Sequence, residues 1–234
     1  MTSLSGAAGF VASSRARLTD HDLERFRGDT LFARLARQVC HAGCLPRKEL
    51  FEAWETARRV RRRCRGGRVV DLGGGHGLLA QVMLLLDDSS PEALVVDTTF
   101  PASHGKVHEA LTAAWPRLNG RTNFMTANLS QVQLRPTDIV VSVHACGGLT
   151  DMVLDLAAAS RSRVAVVPCC HNLGLSDQGG LEGWLEGAVA VDVIRATRLR
   201  AAGYQVWTQT VPASITPKNR LLIGIPAEAS VRQK

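Results

Sequence analysis

The chain is short of several things, and each shortage narrows its function. Aromatic side chains make up 5% of its 234 residues, with a single tyrosine. Few flat side chains are therefore on offer for stacking unpaired bases. Six cysteines, at positions 40, 44, 64, 146, 169 and 170, include no C-x-x-C pair, which speaks against a zinc ribbon. Cys40 and Cys44 fall about one helical turn apart and read as one helix face, so no metal ligands are assigned. Free thiols in a reducing compartment are the expectation. No apolar run approaches the roughly 20 residues that cross a bilayer, and the longest are 138–146 and 163–170. No basic stretch precedes an apolar block of secretory type near the start. The expectation is a soluble, cytoplasmic protein without a membrane partner.

Acidic residues are also outnumbered, 21 to 28, for a net charge of +7. A basic balance favours polyanionic partners. Much of the surplus sits in one run, Arg58, Arg59, Arg61, Arg62, Arg63, Arg65 and Arg68. That run reads either as the solvated C-terminal end of a helix, where cations suit the dipole, or as a nucleic-acid contact.

The hydrophobic fraction of 45% suffices for a substantial core, in one large domain with an N-terminal helical extension. Residues 1–18 are small and polar and are expected to be mobile. The extension spans 19–66. Thr19-Asp20 would cap a helix over 21–44, and Pro46 would open a second over 47–63, with Leu50, Trp54, Ala57 and Arg61 on one stripe. From 67 to 228 short apolar runs alternate with helical segments, and 229–234 reads as a tail. Strands are expected at 68–72, 93–97, 123–126, 138–144, 163–168, 204–211 and 219–225. Helices are expected at 77–86, 103–115, 149–159 and 187–202. Alternating strands and helices, with strands apolar throughout, imply a parallel sheet covered on both faces. The link before the last strand is too short for a crossover helix, so that strand should run antiparallel.

The first strand runs into Asp71-Leu72-Gly73-Gly74-Gly75-His76-Gly77. The pattern D-x-G-x-G-x-G differs from the dinucleotide fingerprint G-x-G-x-x-G, which seats a pyrophosphate. A carboxylate two positions ahead of the turn would repel a pyrophosphate and attract an ammonium group. That favours S-adenosylmethionine, which has an amino group and a sulfonium and no phosphate. Gly73, Gly75 and Gly77 would let the backbone approach it. Asp97, at the end of the second strand, is placed to accept ribose hydroxyls. Asn128 could pair with the adenine edge and Leu129 pack on its face, although Asn-Leu-Ser also reads as a helix start. His76 reads equally as a solvent-facing spacer or a cofactor contact.

These features together resemble the class I S-adenosylmethionine-dependent methyltransferases, over about 68–226. The resemblance implies a Rossmann-like α/β fold with a seven-stranded, mostly parallel sheet, the last strand antiparallel, and N-terminal helices shaping the cleft. Two further stretches, His144-Ala145-Cys146-Gly147-Gly148-Leu149-Thr150-Asp151 and Pro168-Cys169-Cys170-His171-Asn172, end the fourth and fifth strands. Ligands bind at such strand ends in open parallel sheets. The Asn-Pro-Pro-Tyr and Asp-Pro-Pro-Tyr signatures of amino-group methylation are missing. With the later Pro217-Lys218-Asn219-Arg220, these stretches are similar to a narrower group. It contains tRNA acceptor-stem ribose 2′-O-methyltransferases and methyltransferase-like proteins, some fused to a glutathione-transferase-like domain.

Methylating a ribose hydroxyl needs a base or a polarising group. His144 or His171 could serve, with Asp151 orienting one of them and His144 also near the cofactor. Cys146 and Cys170 are candidate catalytic thiols, and Cys169 reads more readily as packing. Lys218 and Arg220 could hold a substrate phosphate or carboxylate. The expected function is S-adenosylmethionine-dependent methyl transfer, with tRNA-like RNA as the favoured partner. A small metabolite or peptide is the runner-up, and a catalytically silent cofactor-binding scaffold is the third reading.

Overall fold

The computed structural model describes residues 10–227. Seven strands form one sheet: β1 Val69–Leu72, β2 Ala93–Asp97, β3 Thr122–Thr126, β4 Ile139–Val143, β5 Arg163–Val167, β6 Tyr204–Thr210 and β7 Arg220–Pro226. Their order is β3-β2-β1-β4-β5-β7-β6. The first five are parallel, and β7 is antiparallel to both β5 and β6. The expected sheet is therefore the observed one. The central strands are buried on both faces, as their unbroken Val and Ile runs require.

Six α-helices cover the sheet: α1 Leu31–Ala42, α2 Arg47–Arg61, α3 Leu78–Leu86, α4 Ala102–Ala114, α5 Gly148–Ser160 and α6 Gly187–Ala201. On one face, Leu35, Val39, Leu50 and Ala57 of α1 and α2 join Leu78 and Val82 of α3, Val69 and Ile139 in a single core cluster. The N-terminal helices thus share the core of the sheet. On the other face, α5 and α6 pack Val153, Leu154, Ala157 and Leu199 over Val70, Leu72, Val140 and Val166.

Side chains alternate along a strand. Val70 and Leu72 therefore take the α5–α6 face, whereas Asp71 takes the face of Val69, under α2 and α3. This parity places Asp71 beside the side chains of α2.

The single helix expected over 21–44 is broken. A 3-10 turn occupies Asp20–Arg25, Gly28 adopts a φ of 86°, and Thr30 caps α1 by accepting a hydrogen bond from the Ala33 amide at 3.1 Å. A left-handed glycine and a fresh N-cap end one helix and start another. The mobility expected of 1–18 falls partly on residues outside the described range, as does the 229–234 tail. Within that range Leu18 is buried and its amide donates to Leu45 O, while the Arg47 guanidinium lies 3.7 Å over the Phe10 ring.

The arginine run is largely consumed by the fold. Arg58 and Arg59 pair with Glu55, and Arg63 lies over Trp207. Buried Arg61 pairs with Asp87 at 3.1 Å and donates to Met83 O and Ser90. Arg65 reaches Asp87 at 4.0 Å, and Arg68 pairs with buried Asp138 at 2.7 Å. Among the described residues, no helix is long and apolar enough to cross a membrane.

Candidate cofactor and active site

A cleft opens at the C-terminal end of β1. It is lined by Gly73, Gly74, Gly75 and His76 of the turn, Asp71 below it, Val143 and His144 from β4, and Glu49, Glu52 and Ala53 from α2. The turn is built from left-handed backbone: Gly73, Gly75 and Gly77 have φ of 69°, 47° and 69°. Asp97 holds it, accepting from the Gly75 amide at 3.0 Å and the Thr98 amide at 2.7 Å. Asp71, Gly73 and Gly75 lie at the end of β1, and Asp97, at the end of the adjacent β2, reaches across to the turn.

Gly74, which the spacing argument passed over, is the most constrained glycine of the turn. A Cβ there would stand 2.7 Å from Asp71 Cγ and 2.8 Å from Val95 Cγ1. Gly77 is nearly as tight, because its Cβ would meet His104 Nδ1 at 2.8 Å.

Asp71 is 2% exposed, and its Oδ2 has no hydrogen-bond partner. Burial pushes its carboxyl up to about 7, against the pull of His76. An orphaned carboxylate oxygen at the base of a cleft calls for a cationic donor.

Two acids of α2 that sequence reasoning missed complete the cleft. His144 Nε2 lies 3.0 Å from Glu52 Oε2 and 3.3 Å from Glu49 Oε2, and His76 Nε2 lies 3.4 Å from the same Glu49 oxygen. The Leu78 amide donates to His76 Nδ1 at 3.1 Å, so the His76 proton sits on Nε2, toward Glu49. His76 is therefore part of the wall and not a solvent-facing spacer. Burial alone would push the His144 imidazole down. The Cys169 sulfur and the two carboxylates outweigh it and raise it to about 11. Burial likewise pushes Glu49 up, but His144 and His76 hold it well below the usual carboxylate range. His144 also takes a left-handed φ of 72°, a conformation that non-glycine residues keep only where surroundings enforce it. A signal for the acids was available in the sequence. Glu49, Glu52 and the buried Ala53 recur at helical spacing on α2, and Glu52 is a carboxylate on an inward face.

The expected catalytic groups divide. His144 faces the cleft, but as an imidazolium it holds its proton and cannot accept another. Asp151 does not orient either histidine. It accepts a bidentate pair from Arg195, from Nε at 3.1 Å and Nη2 at 2.7 Å. The acid beside His171 is Asp192, 2.8 Å from Nε2, and Asp192 also accepts from Arg195 at 3.2 Å and from Arg220 Nε at 2.6 Å. Asp151, His171 and Arg220 thus form an ionic network joining α5, α6 and β7, centred on fully buried Arg195. Arg220, expected to hold substrate, is engaged there.

Lys218 donates to Cys170 Sγ at 3.5 Å, and Cys146 Sγ lies 2.9 Å from Cys169 Sγ. Burial would raise the Cys169 thiol, yet His144, Cys146 and Cys170 bring it down to about 7. At β3, Asn128 is exposed and caps a short 3-10 turn, whereas Leu129 is packed in the core beside the sheet and offers no free face.

This architecture, seven strands with an antiparallel β7 and a glycine-rich turn after β1, defines a class I methyltransferase fold. The chain belongs to a methyltransferase domain family, whose model matches residues 48–176, from α2 through the end of β5. It is 26% identical to the glutathione S-transferase C-terminal domain-containing protein homolog of Drosophila melanogaster, over 68% of this chain and 33% of that protein. The chain thus spans about a third of that relative's length. In fold it is similar to an O-methyltransferase family protein from Burkholderia thailandensis, with a TM-score of 0.52 and 19% identity, covering 92% of this chain and 64% of that one. It is similar also to the mitomycin 7-O-methyltransferase MmcR, with a TM-score of 0.51 and 17% identity, covering 91% and 65%. The residues present fit S-adenosylmethionine: an orphaned buried carboxylate oxygen for its amino group, acids for its positive charge, and a turn that leaves no room for a Cβ at Gly74.

Proposed function

We propose that the chain is an S-adenosylmethionine-dependent methyltransferase whose acceptor enters between the loops after β4 and β5. The observation that carries this reading is an acidic cleft in a basic chain. Glu49, Glu52 and Asp71 line the space opposite His76 and His144, although the whole chain is at +7. Such a cleft attracts a sulfonium and an ammonium and repels a nucleotide phosphate.

When bound, the cofactor supplies a methyl group made electrophilic by its sulfonium. The chain's own residues do the rest. Asp71 receives the amino group, Asp97 faces the ribose side, and the glycine turn admits the backbone. Glu49, Glu52 and His144 close the cleft against water. His144, held against Glu49 and Glu52, is placed to orient and polarise an acceptor, whose proton passes to solvent on transfer.

A compact acceptor, a small metabolite or peptide, is the reading the geometry favours. Most of the Arg58–Arg68 run is engaged within the fold, and Arg220 is paired, so these arginines do not form a free row for a phosphate backbone. The second reading is a tRNA-like RNA methylated on a ribose 2′-oxygen, for which the net charge of +7 speaks. Calorimetric titration with S-adenosylmethionine tests the cofactor, and failure to bind would overturn the reading. Incubation with methyl-labelled cofactor and size-fractionated extract tests the acceptor. Label in the small-molecule or peptide fraction supports the first reading, label in RNA the second, and saturable binding without any transfer would leave a scaffold.

A further inference from the structure

The three thiols at the strand ends form a cluster that the methyl-transfer chemistry above does not use. Cys146 follows β4, and Cys169 and Cys170 follow β5. Their three Sγ atoms all lie within 4.8 Å of one another. The two loops are tied by the Gly147 amide, which donates to Cys170 O at 2.8 Å, so the thiols are held together by backbone. Gly147 itself sits at a φ of 59°, which turns the chain between Cys146 and α5.

We propose that Cys146, Cys169 and Cys170 bind one thiolate-seeking divalent cation, zinc being the natural candidate. Zinc–sulfur bonds of about 2.3 Å in a tetrahedron place sulfurs about 3.8 Å apart. The cluster meets that spacing after an adjustment of about 1 Å at the 2.9 Å contact between Cys146 and Cys169. Three thiolates select soft or borderline ions over magnesium and calcium. On binding, S–H bonds give way to S–metal bonds and the protons pass to solvent, with nothing oxidised or reduced. Three thiolates around a divalent ion carry a net charge of −1, and the Lys218 ammonium beside Cys170 offsets it.

Three protein ligands leave a fourth tetrahedral position for water or a substrate atom, which is the pattern of catalytic zinc and not of structural zinc. Two of the thiols, Cys146 and Cys170, are exposed, so the position is reachable. The use of that position to bind and acidify a hydroxyl or thiol acceptor rests on the methyltransferase reading, whereas the metal site does not.

The test uses the reduced full chain, loaded with zinc sulfate and dialysed, and separately with cobalt chloride. The expected results are one zinc per chain by elemental analysis and a thiolate-to-cobalt charge-transfer band in the near ultraviolet. Cys146→Ser and Cys170→Ser, both at exposed positions, should each weaken zinc binding about 10-fold or more and remove about one third of the band. Cys44→Ser, in the distant loop between α1 and α2, should change neither. Zinc lost on dialysis would overturn the site, as would a cobalt spectrum without the band or variants that bind like the unsubstituted chain. A reduced chain that binds no metal but closes a Cys146–Cys169 disulfide in air, seen as a two-proton mass loss, would also overturn it. Calorimetry with S-adenosylmethionine on the same samples separates the two questions: a chain that binds zinc but not the cofactor refutes the methyltransferase reading alone.

Discussion

Asp71→Asn isolates the central carboxylate of the cleft. In the fold Asp71 is 2% exposed and its Oδ2 lacks a partner. Burial raises its carboxyl from 3.8 to about 7. A raised folded value means that stability fully present below pH 3.8 is lost as the pH rises toward 7. The span from 3.8 to about 7 corresponds to at most about 4 kcal/mol. The asparagine variant is the same size and does not ionise. It should therefore match the unsubstituted chain near pH 4 and exceed it by up to about 4 kcal/mol at pH 8. For a chain of this length that is about 10 °C in Tm. Comparing the two proteins at each pH cancels the other titrating groups they share. The same substitution should abolish S-adenosylmethionine binding, because an amide cannot neutralise an ammonium group. In the unsubstituted chain the affinity should fall toward tenfold per pH unit below about 7, as Asp71 takes up a proton. Thermal melts from pH 4 to 8 and calorimetry at each pH make the measurement. A variant that is less stable at pH 8, or that binds the cofactor normally, would refute the account of Asp71 as a strained, ligand-receiving carboxylate.

Three further perturbations have clear expected outcomes. Gly74→Ala should cost about 1–3 kcal/mol through overpacking against Asp71 and Val95 and remove cofactor binding. Gly105→Ala, where an added Cβ meets nothing within 4 Å, should stabilise α4 by about 0.5–1 kcal/mol, and urea midpoints compare the two. Arg61→Ala should cost about 3–5 kcal/mol by leaving buried Asp87 without its guanidinium. It should leave tRNA binding unchanged in salt-titrated gel shifts, whereas a specific loss of RNA affinity would return this arginine to a binding surface. Glu49→Gln should flatten the acid limb of the stability profile. The depressed Glu49 carboxyl contributes stability that is present above pH 4.5 and lost as the pH falls, and denaturation from pH 3 to 6 measures the difference.

The sheet was legible because its strands announce themselves locally. Val69, Val70, Val140, Val141, Val164 and Val166 are apolar without alternation, and no helix fits between β6 and β7. The glycine turn was legible for a similar reason, since Asp71, Gly73, Gly75 and Gly77 follow from backbone shape within one β-turn-α unit and Asp97 ends the strand that comes next. The partners of the later groups were not legible. Asp151 and His171 were expected to act on each other or on substrate, but Arg195 and Asp192, which claim them, lie on α6, some twenty to forty residues away in sequence. Glu49 and Glu52 carry a helical-spacing signal on α2, but only the packing of α2 over the end of β4 turns it into a site. The break at Gly28 was available in principle, since a glycine followed by Thr30 is both a stop and a cap. Leu23, Phe26, Leu31 and Leu35 are apolar at near-helical spacing on both sides of the break, which masks it.

The contact of α2 with His144 bears on how the chain can be divided. A fragment that starts at Val69 would hold the complete glycine turn, both ribose-side and amine-side acids, and all seven strands. It would also leave His144 in its left-handed backbone with neither carboxylate against it, Arg61 missing from Asp87, and the apolar side of α3 bare. The helix that precedes the first strand is one wall of the pocket it stands beside. Dissection, fusion or transplantation of this unit should therefore keep α1, α2 and the Leu18–Phe26 segment packed on them, and not cut at the glycine pair that follows α2.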